Sequence, residues 1–258
     1  MEFAETRPYV SGDDVRSLDW RVTARTGRVH TKLFREERER PVLLAVDVRA
    51  SMWFGTRGAF KTVVAAQLAA LLAWSAHHRG DRVGGVVFSE SGRIEVKPEY
   101  SRRAVLRFLK HLAEAEPRQP GERGPNEHFG EAMTSLERHA HTGCLMFVFS
   151  DFRGFDADQA ARLSRLRRHG DTVLVTLYDR LEQSLPTEGR YRFGDGVRDV
   201  ILELSPRTAG QYRDRFEERL QRLRSFAQSN RMRFLLCSTE EDPLKILQRG
   251  MSSDRHHL

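Results

Sequence analysis

The chain has 258 residues, 43 basic against 36 acidic, for a formal charge of +7, and two cysteines. That length can bury about three quarters of the unfolded surface as one α/β domain with an extension. No apolar run nears the roughly 20 residues of a bilayer span, and no basic segment with an apolar sequel opens the chain, so a cytoplasmic protein without a membrane span is expected. Only five of the basic residues are lysine, and arginines alternate with acids, as from Arg35 to Arg40. Such mixing describes a solvated surface rather than a nucleic-acid stripe. Cys144 and Cys237 border apolar runs, where a free thiol packs as a small apolar group, so neither a disulfide nor a metal pair is expected.

Residues 1–40 read as an arm of low apolar content. Gly27 separates two short alternating runs, Leu18 to Ala24 and Val29 to Phe34, and predicts a small hairpin. The arm is expected to lie on a larger domain, anchored by Trp20 and held by pairs among Asp13, Asp14, Asp19, Arg16, Arg21 and Arg25. Residues 41–258 are expected to form that domain.

Val42 to Val46 is a strand apolar on both faces, and Asp47 closes it. A polar loop with Arg49 and Ser51 follows. The helix predicted from Ala59 to His78 places Phe60, Val63, Val64, Leu68, Leu71, Leu72 and Ser75 at intervals of three and four. Arg82 to Phe88 and Arg93 to Val96 are strands. Ser101 caps a helix with Val105, Phe108, Leu109 and Leu112 inward. A Pro- and Gly-rich loop over 116–124 leads to a helix opening at Pro125-Asn126-Glu127-His128. His128 reads as a polar residue of that first turn before it reads as a ligand. Leu145 to Phe149 is a second wholly apolar strand, ending in Ser150 and Asp151. A helix from Ala157 to Arg168, capped by Asp156 and closed at Gly170, precedes a strand at Thr172 to Leu177. Residues 180–206 predict an edge hairpin, Tyr191 to Phe193 with Val200 to Leu204. Thr208 to Asn230 is the longest helix, Met232 to Cys237 the last strand, and Pro243 to Gln248 a closing helix.

Strands alternating with helices predict a mostly parallel sheet covered on both sides. Ligand sites in such sheets lie beyond the carboxyl ends of strands, where the order reverses. Asp47 and Asp151, each ending a wholly apolar strand, are therefore expected to face one another there.

The order of Arg7-x-Tyr9, Gly12-Asp13-Asp14-x-Arg16, Asp19-Trp20, Thr23-Ala24-Arg25, Lys32 and Glu36-Glu37, then Asp47 and Ser51-Met52, resembles the bacterial domain of unknown function 58 family. Gly80-Asp81-Arg82-Val83-Gly84, Ser150-Asp151 and Ser238-Thr239 extend the resemblance over nearly the whole chain. Members often carry further sequence before the arm, whereas this chain starts almost at the motif. The resemblance implies a three-layer von Willebrand factor A-like fold and a partner, the MoxR-type AAA+ ATPases, thought to mature other complexes. Other von Willebrand factor A-domain proteins are further implied partners.

The related adhesion-type metal site takes oxygens from an Asp-x-Ser-x-Ser loop, a threonine before a helix and an aspartate after the central strand, around a six-coordinate hard cation. Asp47, Ser51 and Asp151 match. Arg49 replaces the first serine, and Glu127, or Asn126 with the loop shifted by one, stands at the threonine position. Arg49 is expected to substitute for the cation, leaving at most weak Mg2+ or Mn2+ binding at Asp47, Ser51 and Asp151. A non-catalytic interaction domain is the favoured reading. The alternatives are a metal-dependent phosphotransferase or hydrolase using Asp47 as nucleophile, and a basic nucleic-acid binder. No glycine-rich phosphate cradle follows any strand.

Overall fold

The computed structural model describes residues 2–35, 40–116, 125–194 and 199–252. The chain folds as two units, Met1–Glu39 and Arg40–Leu258.

In the first unit, β1 (Glu2–Pro8) pairs antiparallel with β2 (His30–Arg35), and α1 (Trp20–Thr26) lies between them in sequence. The expected hairpin partner, Leu18 to Ala24, is largely helix instead. The Asp19 carboxylate accepts from the Arg21 and Val22 N–H groups and starts that helix, while Gly27, at φ 68°, ends it in the left-handed conformation. The strand that does pair with β2 begins ahead of the arm motif and ends on its first residues, Arg7 and Pro8. Trp20 is 70% exposed and does not act as a buried anchor, because it occupies the first helical position, beside the cap. Of the three aspartates, Asp13 meets an arginine, Arg7, at 2.6 Å, and also accepts from the Val10 N–H. Asp14 and Asp19 spend their oxygens on backbone N–H groups. Tyr9, Arg16 and Arg25 lie at the surface.

The second unit begins with β3 (Val42–Asp47), α2 (Lys61–His78), β4 (Val83–Ser89), β5 (Gly92–Glu99) and α3 (Arg102–Ala113). It continues through α4 (Pro125–His139), β6 (Cys144–Ser150), α5 (Ala157–Leu166), β7 (Gly170–Tyr178) and the single turn α6 (Arg180–Gln183). The hairpin β8 (Gly189–Gly194) and β9 (Asp199–Leu204), then α7 (Pro206–Ser229), β10 (Arg233–Ser238) and α8 (Pro243–Ser252) complete it. The six-stranded sheet has the order β10-β7-β6-β3-β4-β5, with β5 alone antiparallel to its neighbour. Counted from β3, this is the doubly wound order, and the reversal falls between β3 and β6. β8 and β9 pair with each other and form a separate two-stranded sheet, not an edge of the main one.

Side chains of successive strand residues point to opposite faces, and the core divides accordingly. Val42, Leu44 and Val46 pack with α2, α3 and α8, whereas Leu43 and Ala45 pack with α4, α5 and α7. Both layers shield β3 and β6 completely, so truncating Leu44 to alanine removes a buried side chain worth about 2–5 kcal/mol. Three expectations need correction. Phe60, Val63 and Leu71 of α2 face outward; Val64, Leu68 and Leu72 are the buried ones. α5 ends at Leu166, short of Arg168. Gly170 does not cap it but opens β7, where a Cβ would overlap the Cys144 carbonyl of β6, so close strand approach requires glycine. Both cysteines are buried and unpaired. Among the described residues, no helix is long and apolar enough to cross a membrane.

Candidate functional site

Two buried charge clusters occupy the carboxyl edge at the reversal point, and strand register decides which residue joins which. Val46 of β3 stands opposite Phe149 of β6, so Asp47 stands opposite Ser150 and shares its face, while Asp151 points to the other face. The Ser150 hydroxyl donates to Asp47 Oδ2 at 2.6 Å. The two aspartates thus sit on adjacent strands but do not face one another; the period of two along β6 separates them.

On the α4 side, Arg49 folds back onto Asp47. Its backbone N–H donates to Oδ1 at 3.0 Å, Nε reaches Oδ1 at 2.9 Å, and Nη2 reaches Oδ2 at 2.6 Å. The guanidinium lies over the Phe88 and Phe129 rings, 5.7 and 5.8 Å from their centroids. Asp47 is fully buried and Arg49 nearly so. Burial alone would depress the guanidinium's proton affinity, yet the Asp47 charge and hydrogen bonds hold it above the usual arginine value. A pair so enclosed stays charged only because each partner satisfies the other.

On the α2 side, Lys61 is the cation. It sits in the first turn of an apolar helix, wholly buried, with Nζ 2.9 Å from Asp151 Oδ2 and 2.7 Å from Glu182 Oε1. Asp151 Oδ1 accepts from the Arg153 N–H at 3.0 Å, and Arg153 Nη2 reaches Glu182 at 3.2 Å. Burial would raise the Asp151 carboxyl, but the Lys61 charge and hydrogen bond, with Arg153, hold it far below the usual carboxylate range. Phe152, between the two, adopts φ 47°, a left-handed conformation that costs a bulky residue roughly 1–2 kcal/mol. Its ring is fully buried, 6.1 Å from that of Phe129, and its N–H donates to Ser150 Oγ at 2.9 Å. The turn sends Phe152 into one core layer while Asp151 points toward the other.

Asp179, after β7, ties the neighbouring loops together. Its carboxylate accepts from the Thr56 N–H (2.8 Å) and hydroxyl (2.6 Å), the Leu181 N–H (2.9 Å) and the Thr239 hydroxyl (2.8 Å). Its own N–H donates to Glu182 Oε2 at 3.0 Å, which joins the clamp to the Lys61 cluster. Burial works against the charged form of Asp179, but the Thr56 and Leu181 donors outweigh it and lower its pKa. The loops after β3, β7 and β10 are thereby fixed to one another, and the Glu90 carboxylate after β4 accepts from the Ala50 N–H at 2.6 Å.

Ser51 occupies a one-turn 3-10 helix, Ala50–Met52, and bonds neither aspartate. Glu127 falls in the first turn of α4, and its side chain, like that of Asn126, lies outside the described residues. His128 is buried, 3.8 Å from Glu131, and neither ring nitrogen has a hydrogen bond among the described residues. Lys61, Thr56, Asp179 and Glu182 were not singled out from the sequence. Asp179-x-x-Glu182 is a capping box legible as such, and Lys61 is the only acidic or basic residue ahead of the histidine pair in its helix.

The model of the family described as "Protein of unknown function DUF58" matches residues 5–225. The chain belongs to this family. Three curated relatives of the DUF58 chain match at 28% identity over 204 residues, among them Uncharacterized protein Rv1480 of Mycobacterium tuberculosis and Uncharacterized protein Mb1516 of Mycobacterium bovis. The match takes in 79% of this chain and 63% of theirs, so the DUF58 chain spans less than two thirds of their length. Its fold is similar to that of the conserved hypothetical protein BatB from Bacteroides thetaiotaomicron, at TM-score 0.55 and 15% identity, covering 83% of this chain and 98% of that one. An aerotolerance-related membrane protein from Bacteroides fragilis aligns at TM-score 0.51 and 15% identity, covering 83% and 99%. The "von Willebrand factor type A" structure from Catenulispora acidiphila aligns at TM-score 0.46 and 12% identity, covering 87% and 43%.

The donor set of the DUF58 chain does not suit the divalent cation of an adhesion-type site. Both Asp47 oxygens are taken by Arg49 and Ser150, Asp151 holds Lys61, and the two carboxylates project to opposite faces of the sheet. A divalent ion would have to displace two fixed positive charges. At about 4 Å and an effective dielectric near 20, the cation already paired with whichever carboxylate it approached repels it by roughly 8 kcal/mol.

Proposed function

We propose that this protein is a non-catalytic interaction domain whose carboxyl-edge loops form a rigid docking platform, used as an adaptor or co-chaperone with a MoxR-type AAA+ ATPase. The observation that carries this reading is the internal neutralisation of both aspartates by Arg49 and Lys61 in positions closed to solvent. A carboxylate nucleophile needs a free oxygen aimed at substrate, and Asp47 has both oxygens occupied. What the edge offers a partner is a fixed surface: Arg57 after β3, Arg153 after β6, and Arg180 after β7 are exposed around the buried network. Function then sits on loops held by the scaffold.

The test is a pull-down from the native host with the full chain as bait, read by mass spectrometry, followed by binding of the purified ATPase. The reading expects a MoxR-type ATPase to be enriched, and its binding to fall at least tenfold in Arg57→Glu/Arg153→Glu. No ATPase with wild type, or magnesium-dependent phosphatase turnover abolished by Asp47→Asn, would overturn it.

A further inference from the structure

The helices covering one face of the sheet carry no carboxylate. α2 reads KTVVAAQLAALLAWSAHH, α3 RRAVLRFLKHLA and α8 PLKILQRGMS. Acids are present in every helix of the opposite layer, Glu131 and Glu137 in α4, Asp158 in α5, and Asp214, Glu217 and Glu218 in α7. α2 lies between α3 and α8, and it carries apolar residues on its exposed side as well as on its buried one, with Gln67, Ser75 and His78 the exposed polar ones. A helix of that kind is normally buried on all sides. Here Phe60, Val63 and Leu71 remain 40–46% exposed, and with Gln67 and the half-buried Trp74 they form a line at spacings of three and four. Leu106 of α3 and Leu244 of α8, both about half exposed, flank it.

The flanks are also basic. Arg102, Arg103, Arg107, Lys110, Lys245 and Arg249 are exposed. Among the described residues, Arg107, Lys110 and Arg249 pair with carboxylates beyond these helices, Glu99 at 3.8 Å, Glu114 at 3.7 Å and Glu241 at 3.2 Å.

We propose that this face docks an acidic amphipathic helix of a partner protein, its apolar stripe laid along α2 and its carboxylates on the cations of α3 and α8. A largely apolar seam about 21 Å long, one residue wide and rimmed by like charges is the groove such a helix fits. Membrane insertion needs an apolar face that sinks about 5–10 Å into lipid, whereas these side chains are half-sunk in their own layer. A second copy would set the same cations against themselves.

The probe is a fluorescein-labelled 18-residue helical peptide with leucine at heptad a and d positions and glutamate on its flanks, titrated with the full chain and read by anisotropy. Saturable binding is expected, weakened at least tenfold by Leu71→Glu, by Arg103→Glu/Lys245→Glu and by added salt, and absent when the glutamates become lysines. Arg57→Glu/Arg153→Glu is expected to bind the peptide like wild type, which separates this surface from the carboxyl-edge platform. Circular dichroism checks that each variant is folded. Absence of binding, or binding indifferent to both groups of helix-face substitutions, overturns the proposal. So does retention by phosphatidylglycerol vesicles, or a dimer in sedimentation, that Leu71→Glu abolishes while the peptide stays unbound.

Discussion

Replacing Lys61 by methionine keeps the length and apolar stem of the side chain and deletes its charge. Asp151 and Glu182, both nearly inaccessible, would then share a buried site with Arg153, whose side chain is 55% exposed, as the nearest remaining cation. Removing one partner of a buried pair costs about 3–5 kcal/mol. For a chain of 258 residues, each kcal/mol lowers Tm by about 2–4 °C, so the expected fall is roughly 10 °C at pH 7. The sign of the pH dependence follows from linkage. Without the ammonium, burial pushes the Asp151 carboxyl upward against the Arg153 contacts alone, so the deficit is full at neutral pH and shrinks as pH falls toward 5. Thermal denaturation followed by circular dichroism at pH 7 and pH 5 measures both quantities. Lys61→Met/Asp151→Leu, which removes both charges of the Lys61–Asp151 pair, should recover much of the loss. A Tm within about 2 °C of wild type for the single variant, or a deficit of equal size at both pH values, would show that Lys61 does not neutralise this site.

Four further outcomes follow from the same geometry. Asp47→Asn leaves the Arg49 guanidinium buried without its counter-charge and should destabilise by about 3–5 kcal/mol in urea denaturation. Ser150→Ala removes a single hydroxyl donor to Asp47 and the acceptor for Phe152 N–H, for a loss of about 1–3 kcal/mol. Asp179→Ala should raise hydrogen exchange in the loops after β3, β7 and β10 together, because one carboxylate ties Thr56, Leu181 and Thr239. In wild type the depressed Asp151 pKa contributes stability that is complete above the unfolded value near 4 and is lost as pH falls below it, so acid denaturation should begin there and begin higher in Arg153→Ala.

The sheet was legible because its strands advertise themselves. Val42 to Val46 and Leu145 to Phe149 are apolar on both faces, as only centrally placed parallel strands are, and acids close both. The helix faces were less legible. α2 carries apolar residues on both sides, so periodicity alone could not say whether Phe60 and Leu71 or Leu68 and Leu72 turned inward. In the arm, the run Leu18 to Ala24 has both strand-like alternation and a helix cap at Asp19, and the cap prevailed. At the site, the sequence pointed to Asp47, Arg49 and Asp151, but the side of the sheet each faces depends on a register shift of one residue that spacing does not reveal. Lys61 and Glu182 lie 90 and 31 positions from Asp151, one before and one after it, and only the folded sheet brings them together.

Two internal cations, Arg49 and Lys61, occupy the carboxylates that an adhesion-type site would offer a metal. Titration calorimetry of the wild-type chain with magnesium and manganese tests it most directly. No saturable heat is expected up to millimolar concentrations, in wild type and in Asp47→Ala alike. Millimolar or tighter binding by the wild type that Asp47→Ala abolishes would contradict it.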